Sequence, residues 1–144
     1  MELEVLSFVF GNEIDPDEVK ASIAKKLPGA LVQTVNSKAA ANGAYVDMIV
    51  AQTLRAKGAG GLLARKPEVD LLLRLARTTQ ISRAIELVGA KKGKPFLLVV
   101  VGHARKVEGV YPDVLRRGML PRHPLSTSEL EKIESAALLN VEKA

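Results

Sequence analysis

Phe96-Leu97-Leu98-Val99-Val100-Val101 is the stretch that decides the fold. Six consecutive apolar residues stand between the turn Lys91-Lys92-Gly93-Lys94-Pro95 and Gly102. A strand with one wet face alternates apolar with polar residues. An unbroken run of this length therefore predicts a strand buried on both faces, at the centre of a sheet. Its neighbours must come from upstream. Glu2 to Phe10 reads as one strand, alternating at first and then apolar throughout, and Gly11-Asn12 closes it. Leu31 to Val35 alternates as a second.

The intervening segments carry helix signals. Asp15 is placed to cap a helix, with Pro16 at its first position, Asp17 and Glu18 in its first turn and Lys25 and Lys26 in its last. Pro28-Gly29 stops it. A longer helix is expected from Asn36 or Ser37 to about Lys57, with Val46, Ile49, Val50, Thr53 and Leu54 as its apolar stripe. The glycines of Gly58 to Gly61 break it. A third helix starts near Pro67 and runs through Leu71, Leu72 and Leu75. A fourth, Gln80 to Val88, is capped by Thr78 or Thr79 and ended by Gly89. Tyr111-Pro112 opens a short helix, and Pro121 and Pro124 mark a loop. Ser126 and Glu129 then form a capping box for a last helix reaching about Lys143. The expected fold class is α/β (α+β): residues 1–144 as a single small domain, with a short mixed sheet and several flanking helices.

Composition narrows the function. The 144 residues are 47% hydrophobic and 26% charged, the balance of a globular domain, not a disordered or fibrous chain. No apolar run approaches the ~20 residues of a spanning helix, and the acidic start Met1-Glu2-Leu3-Glu4 is unlike a signal peptide. A cytoplasmic protein without membrane association is therefore expected. With no cysteine, there is no disulfide, thiolate metal site or cysteine nucleophile. Charge is unevenly spread. Met1 to Leu54 carries four basic and seven acidic residues, Arg55 to Arg122 fifteen and five, and His123 to Ala144 two and four. The central excess suits a polyanion, although aromatic residues are too few to supply base-stacking platforms.

Catalytic signals are sparse. Gly89-Ala90-Lys91-Lys92-Gly93-Lys94 is one residue short of a phosphate-binding loop, and Pro95 stands where a magnesium-binding hydroxyl belongs. It also follows a helix and precedes a strand, which is the wrong order. His103 and His123 match no metal-ligand spacing, and no serine sits in a nucleophile elbow. No cofactor, metal or catalytic constellation is expected. One enzymatic alternative stays open, a site pairing His103, just after the buried strand, with a carboxylate.

One segment carries a more specific signal. Leu71-Leu72-Leu73-Arg74-Leu75-Ala76-Arg77-Thr78-Thr79-Gln80-Ile81 is followed by Ala84-Ile85, Gly89 and the apolar run to Val101. From Pro67 to Val101 this resembles the KEOPS (EKC) accessory subunits that bind the PRPK-type atypical kinase, the PRPK-binding-protein or TPRKB-like family. In that family a helix ends in Leu-x-x-Ser-Gly-Thr-Arg-Gln-Ile, then come an Ala-Ile pair, a glycine, a short turn and an apolar strand. The tail from Lys132-Ile133 to Leu138-Leu139-Asn140-Val141 is similar more loosely. Three departures stand out. Ala76-Arg77 replaces Ser-Gly, Thr79 replaces the arginine before Gln-Ile, and Ala39-Ala40-Ala41 replaces an early His-Leu pair.

The resemblance implies a non-catalytic subunit of the complex that installs threonylcarbamoyl on the adenosine beside the anticodon. Its partners would be the atypical small kinase subunit, on whose small lobe it docks, and tRNA, held at the 3′ CCA end. On this expectation Arg74, Arg77, Thr78, Thr79, Gln80, Ile81 and Arg83 meet the tRNA, and Ile133, Ala137, Leu138 and Val141 dock the kinase. Plainer roles compete. Gln80 would merely cap its helix while Ile81 and Ile85 are core, and the last helix would pack its apolar face on the chain's own sheet. A stand-alone basic nucleic-acid-binding module is the remaining alternative.

Overall fold

The computed structural model describes residues 4–102 and 118–143. The expectations placed on His103 and on a helix from Tyr111-Pro112 lie outside them. The described residues fall into two compact units, one from residues up to Ala41 together with Ala90–Leu120, the other from Asn42–Gly89 and the chain from Pro121 onward.

The first unit is a three-stranded sheet with one helix. β1 (Glu4–Phe10), α1 (Pro16–Lys26), β2 (Leu31–Asn36) and β3 (Phe96–Gly102) follow in chain order, and the strands lie β1-β3-β2. β3 is central, as its composition requires, and no residue from Phe96 to Val101 is more than marginally exposed. It runs antiparallel to both neighbours, with Leu98 opposite Phe8 on one side and Thr34 on the other. The sheet is thus antiparallel throughout, not mixed. β1 and β2 do share a direction, as a β-α-β connection dictates, but β3 inserts between them and no parallel pair forms. The α+β class stands.

Period-two alternation sends Phe96, Leu98 and Val100 to the face that carries α1. There they join Phe8, Phe10, Val32 and the helix residues Val19, Ile23 and Leu27 in one cluster. Phe10 and Phe96 stack across the strands with centroids 5.1 Å apart. α1 begins as read: the Asp15 carboxylate accepts the Asp17 N–H at 2.9 Å, with Pro16 at the first position. The outer edge of β1 is paired as well, since the Leu120 N–H donates to the Ser7 carbonyl at 2.9 Å. That covers an edge which would otherwise invite another strand.

The second unit is helical: α2 (Gly43–Ala59), α3 (Pro67–Ala76), α4 (Ile81–Val88) and α5 (Thr127–Lys143). α2 starts six or seven residues later than expected. Asn36 instead ends β2 and accepts the Lys38 N–H in a local turn, which leaves the capping to Asn42. The Asn42 carbonyl oxygen takes the N–H groups of Ala44 and His123, and its amide donates to the His123 carbonyl and to Glu129. One side chain thereby ties the start of α2 to the start of α5. The capping box forms as expected, with Ser126 and Glu129 satisfying each other's backbone N–H groups. α4 ends at Gly89, where a Cβ would collide with the Ile85 carbonyl. Among the described residues no helix is long and apolar enough to cross a membrane.

Candidate nucleic-acid and partner interface

α3 is apolar on nearly every side, and such a helix has to be buried all round. Leu71, Leu72, Leu73 and Leu75 are buried, and so are its two charged residues Asp70 and Arg74. The Arg74 guanidinium is 1% exposed and forks onto Asp70, with Nε to Oδ1 at 2.7 Å and an Nη to Oδ2 at 3.1 Å. Its remaining contacts reach α5, at the Ala136 carbonyl and the Asn140 side chain. Asp70 also accepts from the Thr53 hydroxyl and the Leu63 N–H. Asn140 completes the set by donating to the Gly61 carbonyl. The expectation that Arg74 offers its charge to RNA is therefore corrected. Its charge is balanced inside the helical unit, where it joins α3 to α5.

The turn after α3 faces the other way. Arg77 is the C-cap, in the left-handed conformation at φ 58° and ψ 47°, and is the sole non-glycine residue with positive φ among those described. Backbone N–H groups of Arg77 and Thr78 close the helix end onto the Leu73 and Arg74 carbonyls. This is the position at which the family pattern has glycine, the residue suited to such a cap. Arg77, Thr79, Gln80 and Arg83 are exposed, and Thr78 is half-buried. The Thr78 hydroxyl accepts the Gln80 N–H at 3.2 Å, whereas no side chain caps α4 itself. The first backbone N–H groups of α4 thus lack a side-chain cap, with Arg77 four residues before the helix and Arg83 at its third position. Arg83 makes a solvent-exposed pair with Glu86 at 3.3 Å, a contact weak enough for a phosphate to replace.

The plain core role for the isoleucines fails. Ile81 is 49% and Ile85 53% exposed, while Ala84 and Val88 anchor α4. Tyr45, buried nearby, has its phenol pKa raised by desolvation, and the positive charge of Arg77 works in the opposite sense. Tyr45 was not among the residues singled out from sequence. Nothing in its neighbourhood along the chain links it to Arg77.

On α5 the faces separate cleanly. Ala136 and Leu139 are buried, and Ile133 is half-buried with its carbonyl accepting from Gln52 at 2.9 Å. Ala137 is exposed, as are Leu138 at 52% and Val141 at 71%. The helix-facing core of α5 is therefore Ala136 and Leu139, and three of the four residues expected to dock a partner face outward. Leu130, equally exposed, extends that surface towards the start of the helix. A cavity of about 290 Å³ opens beside it, lined among others by Gln52, Arg55, Ala59, Arg74, Ala137 and Asn140. Among the described residues no group of His, Asp or Glu is arranged to hold a metal ion. No family model and no curated protein matches the chain.

Proposed function

We propose that this protein is a non-catalytic accessory subunit of a KEOPS-type tRNA-modifying complex, which recruits tRNA by its 3′ CCA end and docks on the small atypical kinase subunit. The exposed turn from Arg77 to Ile81 carries the reading. It brings exposed Arg77 and the Gln80 amide up to the uncapped N-terminus of α4, whose third residue is exposed Arg83, a donor set of the kind that phosphates and unpaired base edges require. The left-handed cap at Arg77 supports the likeness in the same place, because it accounts for the glycine of the family pattern. The outward apolar face of α5 supplies a surface of the kind used in helix-mediated docking.

Binding of purified protein to tRNA with and without its 3′ CCA, at one fixed moderate salt, tests the proposal. Clear weakening on removal of CCA is expected. Equal binding to both would reduce the protein to a general basic nucleic-acid module, and binding to neither would remove the tRNA role. For the kinase, Leu138→Asp combined with Val141→Asp should abolish co-elution with the kinase subunit while leaving the melting temperature in place. Undiminished co-elution would remove α5 from the interface.

A further inference from the structure

Tyr45, in the first turn of α2, is 3% exposed, yet its hydroxyl makes no hydrogen bond with any described residue. Among those residues the one polar side-chain atom that is both fully buried and unpartnered is Gln52 Oε1. The Tyr45 oxygen, equally unpartnered, therefore reaches the surface: the ring is packed inside the helical unit and its tip opens to solvent. Burial holds the phenol above its ordinary pKa, so at neutral pH the group is a proton donor and not an anion. What faces the tip follows from the register of α2 and α3. The Thr53 hydroxyl meets Asp70 at 2.6 Å, and the Arg77 charge reaches the Tyr45 phenol. About two turns back along α2 thus correspond to about two turns forward along α3, an antiparallel pair with Arg77 and Tyr45 at one level. The exposed Arg77 side chain has no ion pair or hydrogen bond with any described residue. Glu129 acts on the phenol from α5, but its carboxylate already accepts from the Asn42 amide and the Ser126 N–H. A cation and a neutral hydroxyl donor side by side, neither engaged, are suited to two oxygens of one phosphate.

We infer that the Tyr45 hydroxyl donates to the same backbone phosphate of the tRNA 3′ end that Arg77 meets. The inference rests on the tRNA reading above. It adds to that site an uncharged contact from α2, a helix that supplies none of the residues from Arg77 to Arg83.

Tyr45→Phe in the full chain removes only the oxygen. It should weaken binding of CCA-ended tRNA about tenfold, the worth of one hydrogen bond to a charged group. The melting temperature should stay in place, because no contact within the protein is lost. A neutral hydroxyl displaces no counterion, so the dependence of log K on log salt should keep its slope, whereas Arg77→Ala flattens it. Since both groups hold one phosphate, the double variant should weaken binding by less than the product of the two single effects. Undiminished affinity of Tyr45→Phe for a tRNA that the wild type binds through its CCA end overturns the inference alone. So does a weakening that merely multiplies with that of Arg77→Ala, or one that comes with a lowered melting temperature. A wild type that binds tRNA equally with and without CCA shows instead that the tRNA-end reading has failed, and the inference falls with it.

Discussion

Replacing Arg77 by glycine and, separately, by alanine separates the backbone from the charge at the candidate RNA site. Arg77 holds φ 58° and ψ 47°, a conformation that costs an L-residue roughly 1–2 kcal/mol because Cβ crowds the following carbonyl. Glycine escapes that cost. It gives back roughly 0.5–1 kcal/mol through the greater freedom of its unfolded chain. Arg77→Gly should therefore be more stable than Arg77→Ala by about 0.5–1 kcal/mol, or about 2–4 °C in melting temperature for a chain of this size. Both variants lose the guanidinium equally, so any contact it makes, including its influence on Tyr45, cancels in the comparison.

RNA binding should rank the variants differently. Each loses one cation, so each should weaken tRNA binding alike and flatten the dependence of log K on log salt by roughly 1. Paired thermal melts and salt-titrated tRNA binding provide both readouts on the same preparations. If glycine is no more stable than alanine, the strain argument is wrong. If neither variant changes affinity or slope, Arg77 does not touch phosphate, and the strained cap needs another explanation.

Three other expectations follow from the same geometry. Asp70→Asn leaves the buried Arg74 guanidinium without its counter-charge and should destabilise the fold by about 3–5 kcal/mol in urea denaturation; a loss below about 1 kcal/mol would contradict the network. Leu98→Ala, at the centre of the sheet, should cost about 2–5 kcal/mol by the same measurement, and a cost like that of a surface site would mean that β3 is not the core strand. Glu129 has its carboxyl pKa lowered, first by the Ser126 backbone N–H and, despite some desolvation, also by Asn42, the Ser126 hydroxyl and Lys132. Its contribution is therefore complete above its ordinary value of 4.5 and is lost as the pH falls through the lower folded value. Melts followed down to about pH 3 should show a shallower acid loss for Glu129→Gln than for the wild type, and parallel curves would refute the role.

How much of this was legible in the chain varies with the range of the cause. β3 announced itself because burial on both faces needs only its own residues to be apolar. The Asp15-Pro16 start and the Ser126–Glu129 box were legible because a cap is closed within three residues. The beginning of α2 was not. Asn36 and Asn42 are both plausible caps, and the choice is made by His123 and Pro121, about eighty residues on, which bond to Asn42 and Gly43. The isoleucines of α4 misled for a related reason. Spacing shows that Ile81, Ala84, Ile85 and Val88 share one side of a helix, but not that cover exists for only part of that side.

Arg74 and Arg77 make the same point within one turn of chain. Both are arginines in a basic stretch, and a charge count treats them alike. The environment of each was nevertheless constrained locally. Arg74 follows Asp70 by four residues inside a helix whose other positions from Leu71 to Leu75 are leucine, so the two charges share a face with no polar surroundings and have to meet each other. Arg77 stands at the helix end, beyond the last leucine, where the chain turns left-handed and the side chain leaves the core. A buried arginine bonded to a carboxylate of its own helix and to two groups of α5 contributes geometry, whereas the side chain of the exposed one makes no such contact and only its backbone closes the helix. Burial of Arg74 against Asp70 thus takes one of the fifteen central cations out of reach of any polyanion, while Arg77 stays exposed at the turn between α3 and α4.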